Sequence, residues 1–357
     1  MRRIGSPLRG IRSPFPRATG FSALSIFANG EVGQLIEVDT SRLYTDLFAE
    51  TLLTAAGQQA GTHLDISQGL SIGAEISLLS SATITDATGN LTLVNPVPAS
   101  NRYSATMTLS GATANRRVRF QSTFNGVTAT TPLLTADGTY SYAIPADVST
   151  FFRINEAFVG GDPGSISATG ISVKELRGNH LAQATSTFRP VYNTGPARLT
   201  YDGGDDRLNA QIPPTTSGSF AVRFIGTTAS RVMIGSQGAT DGRCFMGLAA
   251  DGSLAGGIGT QGTTTIKDTV DVRNVWTTGV LTWDGSTVTL YRDGVQVYSA
   301  AQSGTVNTTV NFDHGALNAN GTRSAFWAGS IGAALAVNRV LTPAEVAGLH
   351  KLWSSIA

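Results

Sequence analysis

Two Asp-Gly dipeptides, Asp284-Gly285 and Asp293-Gly294, punctuate three alternating runs: Thr278 to Trp283, Thr287 to Arg292 and Val295 to Tyr298. Asp-Gly between runs of period two favours the tight turn that reverses one antiparallel strand into the next. The meander commits its part of the chain to a sheet with one apolar side, which must be buried against a second layer. Composition decides what that layer is. The 357 residues include 41 Gly but only three Lys and seven Glu, and 14% are charged against a usual share of about 25%. So few helix-clothing residues leave sheet on sheet as the expected architecture. An apolar content of 41% with a net charge of +1 can build a core, which excludes a disordered chain. Cys244 stands alone, so neither a disulfide nor a cysteine-based zinc site forms within the chain. No apolar run approaches the roughly 18 residues that cross a bilayer, and no membrane partner is expected.

The chain divides into four stretches. Residues 1–30 read as an extended, basic, Pro-rich arm. Arg2, Arg3, Arg9, Arg12 and Arg17 all precede the first acidic residue, Glu31, and Pro7, Pro14 and Pro16 disfavour helix at the residues before them. Ile4, Leu8, Ile11 and Phe15 are interleaved with those arginines. A solvated terminus, an arm that orders against another protein and a phosphate-binding tail all stay open, nucleic acid being the least favoured. The apolar stretch from Phe21 to Ala28 is short, contains two Ser and lies behind Pro7, Pro14, Pro16 and Gly20, so a secretory signal is not expected. Residues 31–70 are a short mixed packing segment, in which Asp39-Thr40-Ser41 is expected to cap a turn or two of helix through Leu43, Leu47 and Phe48. Residues 71–176 carry short alternating strands, with Asp137-Gly138 as a hairpin signal, and predict a small antiparallel sandwich. Residues 177–357 predict a larger one with a closing helix. There Thr342, Pro343 and Glu345 supply an N-cap, a first-turn proline and a capping box, and Val346, Leu349, Leu352 and Trp353 supply the buried stripe. The expected fold class is all-β: two antiparallel β-sandwich (jelly-roll) domains with an extended N-terminal arm and a short C-terminal helix.

Specific stretches resemble a known family. Trp276, the hairpin from Leu281 to Gly294, Gly329-Ser330-Ile331-Gly332 and the run from Val337 to Val346 resemble laminin-G-like domains of the concanavalin A-type lectin/glucanase fold. Gly178-Asn179-His180-Leu181, Arg189-Pro190 and the run from Tyr201 to Leu208 resemble the lead-in of such domains in proteins of tailed phages and prophages. Phe21 to Gly33 and Leu43 to Ser67 resemble the start of the same proteins, where that start runs straight into the Gly-Asn-His stretch. Residues 71–176 therefore resemble an inserted module, and its end, Ile171 to Leu176, is similar to the last strand of carbohydrate-binding-type jelly rolls.

The resemblance implies a virion structural protein at the phage particle surface: a fibre, a spike or a capsid decoration. It would be anchored to other virion proteins through Arg2, Arg3, Arg9, Arg12, Phe15 and Arg17, assembled as a homo-oligomer, and would display its sandwiches to a host-surface glycan.

The same resemblance implies a rival, a polysaccharide-degrading hydrolase of the glucanase-like fold. Glycoside hydrolysis generally needs two carboxylates flanking the scissile bond. No Glu lies between Glu175 and Glu345, and Glu345 belongs to the capping box. Glu37-Val38-Asp39 has the spacing but is expected to lie outside the sandwich. His63, His180, His314 and His350 are scattered, and no Gly-x-Ser-x-Gly turn occurs. Gly256-Gly257-Ile258-Gly259 lacks the Lys-Ser/Thr and helix of a phosphate loop. The expectation is a protein with no catalytic residues, not an enzyme, and without a cofactor. One reservation concerns calcium. Asp202, Asp205 and Asp206 form the densest acidic cluster, and the lectin resemblance implies calcium there; a turn whose Asp side chains accept local N–H groups is the favoured alternative. Trp276 and Trp327 are the candidates for stacking on sugar, although core packing is expected for at least two of Trp276, Trp283 and Trp327.

Overall fold

The computed structural model describes residues 21–29, 31–38, 43–44, 55–60, 62–63, 72–77, 79–94, 102–124, 127–144, 151–176, 179–183, 185–210, 212–239, 242–260 and 265–356. Arg2, Arg3, Arg9, Arg12, Phe15 and Arg17 lie outside the described residues. The chain is nearly all strand, arranged in four sheets whose pairings are almost wholly antiparallel, with one α-helix among the described residues.

The first sandwich lies between residues 72 and 176. Ile72–Glu75, Ser81–Thr85, Tyr103–Ser110, Gly138–Ile144 and Ser165–Leu176 form one sheet. Asn90–Val94, Val118–Phe124, Val127–Thr130 and Phe152–Glu156 form the other. Alternation in Tyr103–Ser110 turns Tyr103, Ala105, Met107 and Leu109 inward to meet Phe120, Phe152 and Ile154. The hairpin expected at Asp137-Gly138 does not form. Val127–Thr130 pairs with Val118–Phe124 in one sheet, whereas Gly138–Ile144 pairs with Tyr103–Ser110 in the other. Asp137 Oδ1 instead accepts the Ala112 N–H at 2.8 Å, so the dipeptide marks a crossing between sheets.

The larger sandwich packs an eight-stranded sheet on an eleven-stranded one. Phe220, Phe224, Met246, Leu281, Trp283, Phe312 and Trp327 fill the space between them. The meander is present: Thr277–Trp283 pairs with Thr287–Arg292, which pairs with Val295–Ala301. Arg292 pairs directly with Val295, so the turn is two residues long, and Asp293 and Gly294 take φ of 49° and 83°, the positive pair that such a turn requires. The helix Pro343–Trp353 starts from the expected capping box, with Thr342 Oγ1 accepting the Glu345 N–H at 3.3 Å and Glu345 Oε2 accepting the Thr342 N–H at 2.8 Å. Its Val346, Leu349 and Trp353 cover the outer side of the eight-stranded sheet over Ala221, Val280, Ala333 and Leu335.

Three expectations for the N-terminal stretches are corrected. The extended arm does not reach residue 30: Ala23–Phe27 is a 3-10 helix whose Ala23, Ile26 and Phe27 share the apolar layer under the C-terminal helix. Leu43–Tyr44 is strand, not the start of a helix, and pairs with Thr62–His63. Glu37 lies within the sandwich, because Gly33–Glu37 adds to Ala328–Val337, and its Oε1 accepts the Trp353 indole N–H at 3.1 Å. The cause is tertiary. One short helix cannot cover the outer side of an eight-stranded sheet, and burial of the remainder outweighs local propensity.

Thr62–His63 also pairs with Leu181–Ala182, and Ile72 is the register partner of Leu176. The first sandwich therefore leaves and rejoins the larger one on neighbouring strands.

Candidate functional site

The two sheets of the larger sandwich differ on their outer sides. The eight-stranded sheet is covered by the helix and the 3-10 helix. The eleven-stranded sheet presents a row of cross-strand partners that runs Asn209, Asp313, Gly235, Phe245, Gly257, Thr265. Cys244 and Met246 point into the core, so alternation sends Phe245 and Arg243 outward. The Phe245 ring lies across Gly257, where a Cβ would come within 2.3 Å of Phe245 Cε1. Gly235 is equally tight on the other side, with Phe245 Cβ at 2.8 Å and Leu317 Cδ1 at 3.1 Å from the position of a Cβ. Phe245 stays half-buried, and the Arg243 guanidinium carbon sits 5.0 Å from its ring centroid. Glycines on both neighbouring strands thus let an aromatic ring lie low along the sheet beside a cation.

A buried ion cluster continues the row. Asp313 is fully buried, and Arg323 Nε donates to its Oδ2 at 2.8 Å. Burial pushes the Asp313 carboxyl up to about 6, while Arg323 and Arg207 oppose the rise. The Arg207 guanidinium carbon lies 4.2 Å from the Phe188 ring centroid, and its Nη1 donates to the Asp205 carbonyl at 3.1 Å. Asp251, at the rim, is held low, to below the usual carboxylate range, by hydrogen bonds from Lys267 at 2.5 Å and from Ser253.

The sequence candidates fall in three places. Trp327 is fully buried, 5.6 Å from Phe224 in an edge-on arrangement, so it has no face to offer a sugar and is core. Trp283, 1% exposed, is core too, with its Nε1 donating to the Thr215 carbonyl at 2.8 Å. Trp276 precedes Thr277–Trp283 rather than lying in it, and is half-buried with the Arg223 guanidinium carbon 5.5 Å from its ring. Asp202, Asp205 and Asp206 do converge, their carboxylate oxygens lying within 4.8 Å of one another. Asp202 Oδ1 accepts the Gly204 N–H at 2.7 Å and Asp206 Oδ2 accepts the Asp202 N–H at 2.9 Å, which makes the loop a hydrogen-bonded turn. The donor set is also one that would hold calcium, whose charge would relieve the repulsion among the three carboxylates. Cys244 is buried, and burial raises its thiol pKa, so it is unreactive.

Arg243 and Phe245 read in the sequence only as part of a strand, and neither they nor Asp313 and Arg323 were among its site candidates. The available signal was glycine inside strand patterns, at Gly235, Gly247 and Gly257, which marks close approach.

No curated protein matches the chain. Among solved structures, CBM40 of the Ruminococcus gnavus IT-sialidase, bound to alpha2,3 sialyllactose, is 18% identical with a TM-score of 0.34, covering 38% of this chain and 84% of that one. The Streptococcus pneumoniae NanB sialidase is 18% identical with a TM-score of 0.32, covering 38% of this chain and 24% of that one. The native heptameric SAP-like pentraxin of Limulus polyphemus is 12% identical with a TM-score of 0.35, covering 42% and 79%. Residues 202–347 match the model of the concanavalin A-like lectin/glucanases superfamily. The meander, the buried Trp283, the final strand and the start of the capped helix all fall in that span, which is the part of the chain that is similar to a concanavalin A-like lectin/glucanase domain.

Proposed function

We propose that the protein is a non-catalytic structural and adhesion component of a tailed-phage particle, whose larger sandwich turns the open side of its eleven-stranded sheet to a host-surface glycan. The observation that carries the glycan contact is the Phe245 ring laid across Gly257 beside Arg243, on a side of the eleven-stranded sheet that no helix among the described residues covers. Sugar rings stack on such surfaces through their C–H faces while a neighbouring cation orients hydroxyl or acidic groups. The particle assignment is supported by the five arginines and apolar residues of the first 20 positions and by the family resemblance of the stretches from Phe21 to Ser67 and Gly178 to Leu208. Anchoring through Arg2, Arg3, Arg9, Arg12, Phe15 and Arg17 belongs to the same proposal.

The hydrolase reading is less well supported. Of the described carboxylates beside this row, Asp313 is buried against Arg323 and Asp251 is engaged by Lys267 and Ser253, so neither is free to serve in a facing acid and base pair. The test is a glycan array probed with the full chain and with Phe245→Ala, alongside an assay for released oligosaccharide from host capsule or lipopolysaccharide. Binding by the wild type, lost in Phe245→Ala with an unchanged melting curve, is the expected result. Released oligosaccharide establishes the hydrolase instead, and a wild type that binds nothing refutes the adhesive reading.

A further inference from the structure

We infer that the outer side of the four-stranded sheet in the smaller sandwich binds the oxyanions of an acidic polysaccharide through Arg119 and Arg153. In Val118–Phe124 and Phe152–Glu156 the residues Val118, Phe120, Phe152 and Ile154 turn into the core, so alternation sends the two arginines outward. Register sets the outward side chains in rows across the strands: Arg153, Gln121 and Thr130 in one, Asn90, Asn155 and Arg119 in the next. Arg119 and Arg153 are therefore diagonal neighbours on adjacent strands, about 7–8 Å apart.

Both guanidiniums are held in place by their neighbours. Arg153 Nε donates to Gln121 Oε1 at 2.9 Å, and Arg119 Nε donates to Asn155 Oδ1 at 3.0 Å. Asn155 is itself fixed, its Nδ2 donating to Asn90 Oδ1 at 2.9 Å. The Arg153 guanidinium carbon lies 3.9 Å from the Phe151 ring centroid, so an aromatic face supports it from one side. Among the described residues neither arginine spends its Nη groups on a hydrogen bond, and that fork of donors matches the paired oxygens of a carboxylate or similar oxyanion. The charge is also uncompensated. The four strands hold one acid, Glu156, which alternates toward the inner side and accepts the Phe158 N–H at 3.3 Å. A sheet side that keeps two like charges this close, with no acid on it, is complementary to an anion.

The rest of this side selects among anions. Thr92 and Thr128 are exposed and Thr130 half-buried, so hydroxyls surround the two arginines and suit a ligand rich in hydroxyls with acid groups at intervals. A peptide is held chiefly by apolar anchors, whereas the outward side chains here are Thr, Asn, Gln and Arg. A nucleic-acid strand carries a phosphate about every 3.4 Å and stacks its bases on aromatic rings, which calls for a longer basic track and for ring faces not already taken by an arginine. The inference is independent of the Phe245 platform.

The test is titration calorimetry of the full chain with polygalacturonate, dextran sulfate, neutral dextran and an oligothymidylate, with circular dichroism melts to verify folding of each variant. The expected result is binding to one or both acidic polysaccharides, which tells carboxylate from sulfate as the oxyanion taken, and none to neutral dextran. Arg119→Gln and Arg153→Gln are each expected to weaken that binding at least about tenfold with an unchanged melt. Arg153→Lys keeps the charge but not the fork, and is expected to weaken it as well. Phe245→Ala is expected to leave it intact, so the two surfaces stand or fail separately. Binding to neither acidic polysaccharide, equal affinity for neutral dextran, loss of binding in Phe245→Ala, or wild-type affinity in any of the three arginine variants overturns the inference. Tighter binding of the oligothymidylate overturns it in favour of a nucleic-acid surface.

Discussion

Asp206 holds its carboxyl at about 6, and burial is the main cause, with the neighbouring charges of Asp202 and Asp205 adding to it against the hydrogen bond from the Asp202 N–H. A folded-state pKa above the unfolded value means that the native chain holds the proton more tightly. The contribution to stability is therefore complete below the unfolded value of about 3.9 and is lost as pH rises through about 6. Asp206→Asn keeps an oxygen for the Asp202 N–H and removes the charge. In calcium-free buffer it is expected to leave the melting temperature unchanged near pH 4 and to raise it near pH 7.5, by a stabilisation on the order of 1–3 kcal/mol. Thermal melts at the two pH values check this, and an equal effect at both would refute the electrostatic account. Repeating the pH 7.5 melts with millimolar calcium separates the two readings of the loop. A rise in the wild type that Asp206→Asn lacks makes it a cation site, and no rise leaves it a turn.

Arg339 joins elements that are far apart in the chain. Its guanidinium grips Glu345 of the capping box at 2.6 and 2.9 Å, reaches Glu31 at 3.2 Å and donates to the Ile26 carbonyl at 3.1 Å. The hydrogen bond from Arg339 lowers the Glu345 carboxyl to about 2. Its contribution is present above the unfolded value of about 4.3 and is lost as pH falls toward 2. Arg339→Leu is expected to cost about 1–3 kcal/mol near pH 7 and to flatten the loss of stability between roughly pH 4.3 and 2, which urea melts at several pH values would show. An acid limb as steep as that of the wild type would refute it. The capping box itself was legible because Thr342, Pro343 and Glu345 are neighbours in sequence, and the meander because its turns and periods are local. Arg339 was not legible, since Glu31 lies 308 residues away. The Phe245 platform escaped for a related reason: Gly235, Phe245 and Gly257 form a row only once cross-strand register is known.

At the scale of the whole molecule, the larger sandwich is built from both ends of the chain. Gly33–Glu37 completes its sheet beside Ala328–Val337, and Phe21 packs where a Cβ on Gly348 would come within 2.7 Å of the ring. The smaller sandwich has its own core and departs from paired strands, so it contributes little to folding of the larger one. Two deletions separate these roles. Replacing residues 72–176 with a short Gly-Ser link is expected to leave a cooperatively melting sandwich, because Ile72 and Leu176 already lie opposite each other and a link of a few residues spans the gap of about 5 Å. Removing residues 1–38 strips Ile26, Phe27 and Leu35 from the apolar layer under the helix. At about 2–5 kcal/mol for each large apolar side chain lost, that should unfold the larger sandwich at ambient temperature. Removing residues 1–20 alone takes away none of the described contacts. It should leave both sandwiches folded while abolishing incorporation into particles if the basic arm is the anchor. Circular dichroism melts and co-purification with assembled particles read these outcomes separately. A chain lacking residues 1–20 that still incorporates normally would sink the anchoring role and leave the two-ended sandwich standing. A folded chain lacking residues 1–38 would show instead that the helix alone seals the sheet.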